Sequence, residues 1–383
     1  LQIHSSSPIE INVNEASEGG NFGIRHDGGT TSVSGDLDIH FAGESGYGSY
    51  GIRAQAGTLT LQVVTITAEG PLSVALANAK ANLFGSGGTV EILGDLRIDL
   101  QQGGVIGGSA SSTSAVLNDG SQAATTVRGN TDITVNGIGT GIYALSGSVS
   151  LFGETVEIAT QSGNAVITGR TGKVYVDTGS VNITSESGNA VQTSGTVDIA
   201  VDGEVVLTSR EASGVNTSNT GAVGILGDTI GIEGLIGIEA GLSNNQKSTV
   251  SLTGNTVNIT GRSTDGEPSL GMKISAASVV TINASDTSVN GDVTLTNTGK
   301  LIASGLNGTV GTTTLNGNVS AVEGTEVSLT NQRIELLGNF TVDTLTGADT
   351  DLLVHDFDNT LSIAHNQIDG LGLVVSGELN DQY

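Results

Sequence analysis

The sequence repeats one short pattern, a Gly or Ala followed by one aliphatic or Met residue, along most of its length. The spacings between successive occurrences are 28, 24, 40, 26, 24, 25, 24, 27 and 30 residues. A repeat of this size is one supersecondary unit, and it buries its apolar face only by stacking on its neighbours. The ten occurrences are Gly23-Ile24, Gly51-Ile52, Ala75-Leu76, Ala115-Val116, Gly141-Ile142, Ala165-Val166, Ala190-Val191, Gly214-Val215, Gly241-Leu242 and Gly271-Met272.

An alternating triplet, apolar-x-apolar, lies in each interval between two of these anchors. The nine triplets are Leu37/Ile39, Val64/Ile66, Leu96/Ile98, Ile133/Val135, Val156/Ile158, Val181/Ile183, Val205/Leu207, Ile230/Ile232 and Val257/Ile259. Alternation with a period of two residues is typical of a strand with one buried face. Because the same strand returns once per repeat, like strands lie side by side in parallel. The sequence therefore predicts an all-β parallel β-helix (β-solenoid) of about fourteen coils, with three short strands in each coil.

Residues beside the last triplet of each coil are predicted to form an outward column. Its predicted members are Asp38, Thr65, Arg97, Thr134, Glu157, Asn182, Val206, Gly231 and Asn258. In this alignment, like charges do not occupy adjacent coils, as in-register stacking favours. Gly and Asn between strands are predicted corner residues, because both tolerate positive φ.

Composition excludes several classes of partner. The chain has 39 acidic and 13 basic residues, a net charge of −26 and no Cys. Such a charge opposes binding to nucleic acid or anionic lipid. The absence of Cys excludes disulfides and thiolate zinc ligands. No apolar run is long enough for a membrane-spanning helix.

The Gly-, Ser-, Thr- and Asn-rich coils, the lack of Cys and the segment LLGNFTVDTLTGADTDLLVHDFDNTLSIAHNQIDGLGLVVSG (336–377) resemble the passenger domains of bacterial autotransporter adhesins. The resemblance implies a right-handed parallel β-helix. It also implies β-helix passenger coils over residues 1–335 and a continuous, autochaperone-like folding segment over 336–383. In that family a C-terminal outer-membrane barrel, absent from this sequence, exports the passenger. Since the chain begins at Leu1 without Met or a secretory leader, we expect an excised piece of a longer protein.

Catalytic and metal-binding signatures are weak. Asp36 and Asp38 alternate with apolar residues and are expected to be solvated, and His355, Asp356 and Asp358 are expected to be polar positions on an ordinary coil. Ser45 lacks the glycine that a nucleophile elbow requires. The sequence therefore predicts no enzyme, metal or cofactor. A polysaccharide-degrading β-helix enzyme and a passive structural stalk stay open as alternatives.

The spacers between each last triplet and the next anchor contain 11, 8, 16, 5, 6, 6, 6, 8 and 11 residues. Insertions at one edge of a repeat protein often form its binding face. The first spacer carries scarce aromatic residues and the third carries adjacent amides. We therefore predict a ligand-binding groove at this edge, formed by His40, Phe41, Tyr47, Tyr50, Gln101 and Gln102.

Taken with the family resemblance, these features predict a non-enzymatic adhesin at the bacterial cell surface, anchored at the outer membrane. Its expected partners are a host-cell or extracellular-matrix protein or glycan, and other copies of the passenger in aggregation or biofilm. Nucleic acid is not an expected partner.

Overall fold

The computed structural model describes residues 1–14, 21–42, 49–70, 72–79, 87–103, 114–241, 247–263, 268–355 and 359–375. Within these ranges the chain forms 33 β-strands and one single-turn 3₁₀ helix, Leu306–Gly308. The fold is an all-β parallel β-solenoid of about 13 turns. The predicted fold class is therefore confirmed, with about 13 turns in place of fourteen. These ranges contain no helix with the length and hydrophobicity needed to span a membrane.

The strands belong to two compact units, of which the first comprises residues 1–202 and 209–211. In this unit β1 pairs with β4, β2 with β5 and β3 with β6, all in parallel, so three strands complete one turn. Its strands are β1 (Gln2–His4), β2 (Ile9–Val13), β3 (Phe22–His26), β4 (Thr30–Ser34), β5 (Leu37–Phe41), β6 (Tyr50–Ala54), β7 (Thr58–Leu61), β8 (Val64–Ala68), β9 (Val74–Ala79), β10 (Thr89–Ile92), β11 (Leu96–Gly103), β12 (Ser114–Asp119), β13 (Ala124–Val127), β14 (Thr131–Ile138), β15 (Thr140–Ser162), β16 (Val166–Ser185), β17 (Val191–Thr193) and β18 (Thr196–Val201).

The second unit comprises residues 203–208 and 212–383. Parallel ladders again join strands of successive turns, as between β24 and β26. Its strands are β19 (Glu204–Ser209), β20 (Ser213–Thr217), β21 (Ala222–Leu226), β22 (Thr229–Gly234), β23 (Ile236–Ala240), β24 (Thr249–Gly261), β25 (Leu270–Ile274), β26 (Val279–Asn290), β27 (Asp292–Leu295), β28 (Lys300–Ser304), β29 (Gly311–Asn316), β30 (Val319–Ala321), β31 (Glu326–Leu336), β32 (Phe340–Val354) and β33 (Leu361–Val375).

The core of each unit consists of aliphatic columns that run from turn to turn. In the first unit Ile39, Ile66 and Ile98 are in register on β5, β8 and β11, and all three are buried. The residues between the inward positions stay partly exposed, as in the alternating pattern of β8. Stacking therefore buries the apolar face that a single turn leaves uncovered.

The anchor positions are restricted to Gly or Ala by a close approach inside the turn. A Cβ on Gly51 would lie 2.9 Å from Ile66 Cγ2 and 2.5 Å from the Ala75 carbonyl oxygen. A Cβ on Gly141 would lie 2.6 Å from Ile158 Cγ2. At these two anchors the isoleucine of the triplet that follows in the chain thus limits the size of the anchor residue, because a larger side chain would overlap it.

One predicted anchor, Gly241-Leu242, is wrong. In the second unit Ile238 is in register with Val215 and with Met272, so the anchor is Gly237-Ile238. Gly241 follows the end of β23 with φ of 90°, and Leu242 lies outside the described residues. Residues 242–248 therefore follow the anchor strand instead of preceding it. Insertions consequently leave the solenoid at more than one corner.

The prediction about outward charges is also wrong in the first unit. Glu10 is in register with Asp38, and Asp132 is in register with Glu157. Asp132, not Thr134, is the neighbour of Arg97, because the inward residue paired with Ile98 is Ile133. These side chains reach water, which screens like charges on adjacent turns.

Asparagine columns stabilise the corners through their side chains. In the second unit Asn339 donates its backbone N–H to Asn318 Oδ1 at 3.0 Å, and Thr360 donates its own to Asn339 Oδ1 at 2.7 Å. In the first unit the Asn189 backbone N–H donates to Asn164 Oδ1 at 2.9 Å. Each Asn therefore accepts a hydrogen bond from a backbone N–H of the next turn. This role explains the repeated Asn at the corners, whereas the sequence pattern indicated positive φ as the reason.

The predicted boundary between residues 335 and 336 stays a prediction. β31 (Glu326–Leu336) extends across it, and β32 pairs with β31 in the same parallel ladder. The expected folding role of residues 336–383 rests on the family resemblance.

A pH-dependent contribution to stability is expected from Glu326 in the second unit. A hydrogen bond from Lys300, 2.8 Å away, holds the pKa of Glu326 below its usual 4.5, outweighing the opposite effect of burial. Because the folded-state pKa is lowered, the pair stabilises the fold above the unfolded-state pKa, and this stabilisation is lost as pH falls through the folded-state pKa. We expect Lys300→Gln to lower the melting temperature at about pH 7 and to lower it by less at about pH 3. An equal decrease at both pH values would contradict this assignment.

Candidate functional site

The structure divides the first predicted spacer between two environments. His40 faces outward on β5, where its Nδ1 lies 2.8 Å from Thr67 Oγ1 and its Nε2 lies 3.9 Å from Glu69 Oε1. Phe41 is only 1% exposed. The prediction that Phe41 presents its ring to a ligand is therefore wrong, because Phe41 continues the inward alternation of Leu37 and Ile39 and fills the core.

The other predicted site residues are only partly described. Tyr47 lies outside the described residues, as do most of the two spacers that were predicted to flank a groove. Gln101 and Gln102 are exposed near the end of β11, and Gln101 Nε2 donates to Asp99 Oδ1 at 2.7 Å. The groove that joins these amides to the tyrosines therefore stays a prediction.

Tyr50 belongs to a cluster that the sequence prediction did not include. Its ring is parallel to that of Phe22, with an interplanar angle of 6° and centroids 5.6 Å apart. Arg53 Cζ lies 4.8 Å from the Tyr50 centroid, and Arg25 Cζ lies 5.6 Å from the Phe22 centroid. These distances are within the range of cation–π interactions. Phe22, Arg25, Tyr50 and Arg53 are called the aromatic–arginine patch below.

The turn-to-turn register of β3 and β6 creates this patch. Phe22 is paired with Tyr50, and Arg25 with Arg53. The residue between each aromatic and the inward Ile is the anchor Gly, which turns inward at the corner. The rings and the guanidinium groups consequently form two neighbouring outward columns.

A buried polar support holds the two arginines. Gln55 is only 8% exposed and follows β6. With its amide oxygen facing Arg53, Oε1 accepts from Arg53 Nε and Nη2 at 3.0 Å, and Nε2 donates to Asp27 Oδ1 at 3.1 Å. Arg25 Nε donates to the same Asp27 oxygen at 2.9 Å. The buried Gln55 amide thereby positions the Arg53 guanidinium group before any ligand arrives, while the Arg25–Asp27 pair stays exposed to water.

The two arginines differ in their electrostatic environment. Arg25 is paired with Asp27, whereas Arg53 forms no ion pair with any carboxylate in the described ranges. The side chain that accepts hydrogen bonds from Arg53 is the neutral amide of Gln55.

A sequence signal for this patch exists and was missed. FGIR at 22–25 and YGIR at 50–53 are the same aromatic-Gly-Ile-Arg motif, one turn apart. The sequence interpretation used only the Gly-Ile of each motif, as an anchor. The aromatic residue before each Gly-Ile and the Arg after it identify the patch.

A second polar cluster lies in the second unit, on β20, β23 and β25. Glu239 Oε2 accepts from Asn216 Nδ2 at 3.0 Å and from Ser213 Oγ at 3.2 Å, and Oε1 accepts from Lys273 Nζ at 2.9 Å. The incorrect anchor at Gly241 concealed this cluster, because it put Glu239 out of register with Asn216 and Lys273. Both carboxylate oxygens are already bonded to protein donors, which fits a structural role.

The remaining acidic and histidine candidates are separate from these clusters. Asp38 lies partly exposed beside Glu10, and His355 Nε2 lies 3.7 Å from Glu335 Oε2. Asp356 and Asp358 lie outside the described residues. Among the residues with described positions, no three His, Asp or Glu side chains are grouped to hold a metal ion.

No protein-family model matches the sequence, and comparisons with curated proteins and with solved structures find no significant match either.

Proposed function

We propose that this chain is a non-enzymatic adhesin that attaches to a host-cell or extracellular-matrix protein or glycan. The observation that carries the proposal is the aromatic–arginine patch. Aromatic and Arg side chains are the groups most enriched at binding hot spots; the buried amide of Gln55 positions Arg53 in advance, and the exposed Asp27 pairs with Arg25. A solenoid suits such a role because each turn presents its outward residues in register with the next.

The proposal includes the setting that the family resemblance suggests. The chain would be the passenger of a bacterial autotransporter, exported by an outer-membrane barrel and held at the cell surface. The proposal also includes self-association of passengers. With a net charge of −26, two copies repel one another at long range, so pairing would depend on short-range hydrogen bonds.

Removal of both rings tests the attachment proposal. We expect the double variant Phe22→Ala, Tyr50→Ala to weaken attachment by about 1 to 3 kcal/mol, because it removes both ring surfaces and the stack beneath Arg53. The measurement is binding of the purified chain to arrayed matrix proteins and glycans and to cultured cells. Circular dichroism melting distinguishes lost contacts from lost folding.

Tyr175→Ala is the matched control, since Tyr175 is a partly exposed tyrosine on β16 in the same unit. Attachment by this variant should equal that of the unchanged chain. Equal attachment by the double variant would remove the patch from the proposal. Failure of the unchanged chain to attach to any arrayed ligand or cell would favour a passive stalk.

A polysaccharide-degrading enzyme is the second candidate, and the Glu239 cluster is the observation that favours it. A carboxylate and an amine lie 2.9 Å apart there, the kind of acid and base groups that a polysaccharide lyase needs, although both carboxylate oxygens are bonded to protein donors. Release of oligosaccharides from mixed polysaccharides, abolished by Glu239→Gln, would replace the adhesin proposal. We expect no release.

A further inference from the structure

We propose that the aromatic–arginine patch recognises the carboxylate of an acidic saccharide, such as a uronic or sialic acid. This inference rests on the proposed function and names the ligand class of the same site. Its basis is the combination of one unpaired guanidinium group, two stacked rings and a buried polar support on adjacent turns.

Arg53 supplies the group that would bind the anion. Its Nε and Nη2 donate to Gln55 Oε1, which leaves the N–H groups of Nη1 available to a ligand. No carboxylate among the described residues competes for them. A guanidinium group binds a carboxylate through short charge-assisted hydrogen bonds, and a fixed one loses less entropy in doing so.

Gln55 is the positioning residue that keeps Arg53 unpaired. It is buried, and its amide connects Arg53 to Asp27 without bringing a negative charge against the guanidinium group. A Glu at this position would instead form an ion pair with Arg53. The neutral amide thus preserves the positive charge of Arg53 for a ligand.

The rings favour a saccharide over an acidic peptide. Phe22 and Tyr50 are both partly exposed, and their parallel stack places two aromatic groups beside the guanidinium column. The C–H face of a pyranose ring packs on aromatic carbon, while its hydroxyl groups need polar partners. The Tyr50 hydroxyl has no hydrogen-bond partner among the described side chains, so it can bond to such a hydroxyl group.

The experiment measures binding of the full chain to polygalacturonate, alginate and polysialic acid, and to the same polymers after chemical reduction of their carboxyl groups. The salt concentration is about 0.15 M, at which the repulsion between these polyanions and the chain's net charge of −26 is screened beyond about 8 Å. We expect binding to at least one carboxylated polymer and at least a tenfold weaker binding to its reduced form. Arg53→Gln and Gln55→Glu should each weaken binding to the carboxylated polymer about tenfold. Circular dichroism melting checks that both variants fold.

Arg170→Gln is the matched control, because Arg170 is an exposed arginine of the same unit outside the patch. Its binding should not change. Equal binding to native and reduced polymers, or no effect of either patch variant, would overturn the inference while leaving the adhesin proposal in place. Equally strong, Arg53-dependent binding to polyglutamate would overturn it in favour of an acidic peptide. Absence of binding to all three carboxylated polymers would overturn it as well.

Discussion

Ile259→Asp is expected to lower the free energy of unfolding of the second unit by about 4 kcal/mol or more. Ile259 is fully buried and lies in one inward column between Ile232 and Val289. A carboxylate at this position would have apolar neighbours on the turns on both sides. The column offers it neither a cation nor a hydrogen-bond donor, so its desolvation is uncompensated.

Thermal and urea unfolding of the full chain, followed by circular dichroism, measures this effect. Asn258→Asp is the matched control, because Asn258 is exposed and has the uncharged neighbours Gly231 and Ser288. It introduces the same side chain one position away and should change stability by less than about 0.5 kcal/mol. Similar effects of the two substitutions would show that the alternation on β24 is assigned incorrectly.

Gly237→Val is expected to destabilise the second unit by about 3 kcal/mol. A Cβ on Gly237 would lie 2.6 Å from Ile259 Cγ2 and 2.7 Å from the Gly271 carbonyl oxygen. The obstacle includes backbone, so a rotamer change of one side chain cannot remove the overlap. The prediction therefore tests the corrected anchor directly.

Gly231→Val is the control for this substitution. A Cβ on Gly231 would meet only the Val205 carbonyl oxygen, at 3.8 Å, which is ordinary contact. We expect a change within about 0.5 kcal/mol. Equal loss at the two positions would mean that Gly237 is not an anchor.

The repeat period was enough to predict most of the fold. Alternation at Val64/Ile66 and at the other triplets specified which residues face inward, because a strand has a side-chain period of two. The return of the same triplet once per repeat specified parallel pairing. These are local patterns, so a single sequence contains them in full.

Register was harder to predict wherever a turn contains an insertion. Gly241-Leu242, at the start of the 242–248 insertion, has the spacing expected of an anchor. The anchor in the structure is Gly237-Ile238, four residues earlier in the chain. Only the pairing of Ile238 with Val215 and Met272 distinguishes the two. A small error of this kind changes every neighbour, which explains why the Glu239 cluster was missed.

The candidate site was predicted only in part. Tyr50 was identified from its rarity, but its partners Phe22, Arg25 and Arg53 become neighbours only when β3 and β6 are aligned. The scarcity of aromatic residues favours Phe41 as a site residue, but its inward position two residues after Ile39 puts it in the core. For a solenoid, comparing the residues on both sides of each anchor between adjacent turns is therefore more informative than spacer length.

Hydroxyl-radical footprinting of the chain, free and bound to whichever arrayed ligand it retains, tests the central claim that attachment occurs through the aromatic–arginine patch. The account predicts that bound ligand protects Phe22 and Tyr50 from oxidation and leaves Tyr175 unchanged. Protection of Tyr175 with Phe22 and Tyr50 still reactive would place the ligand elsewhere and contradict the account.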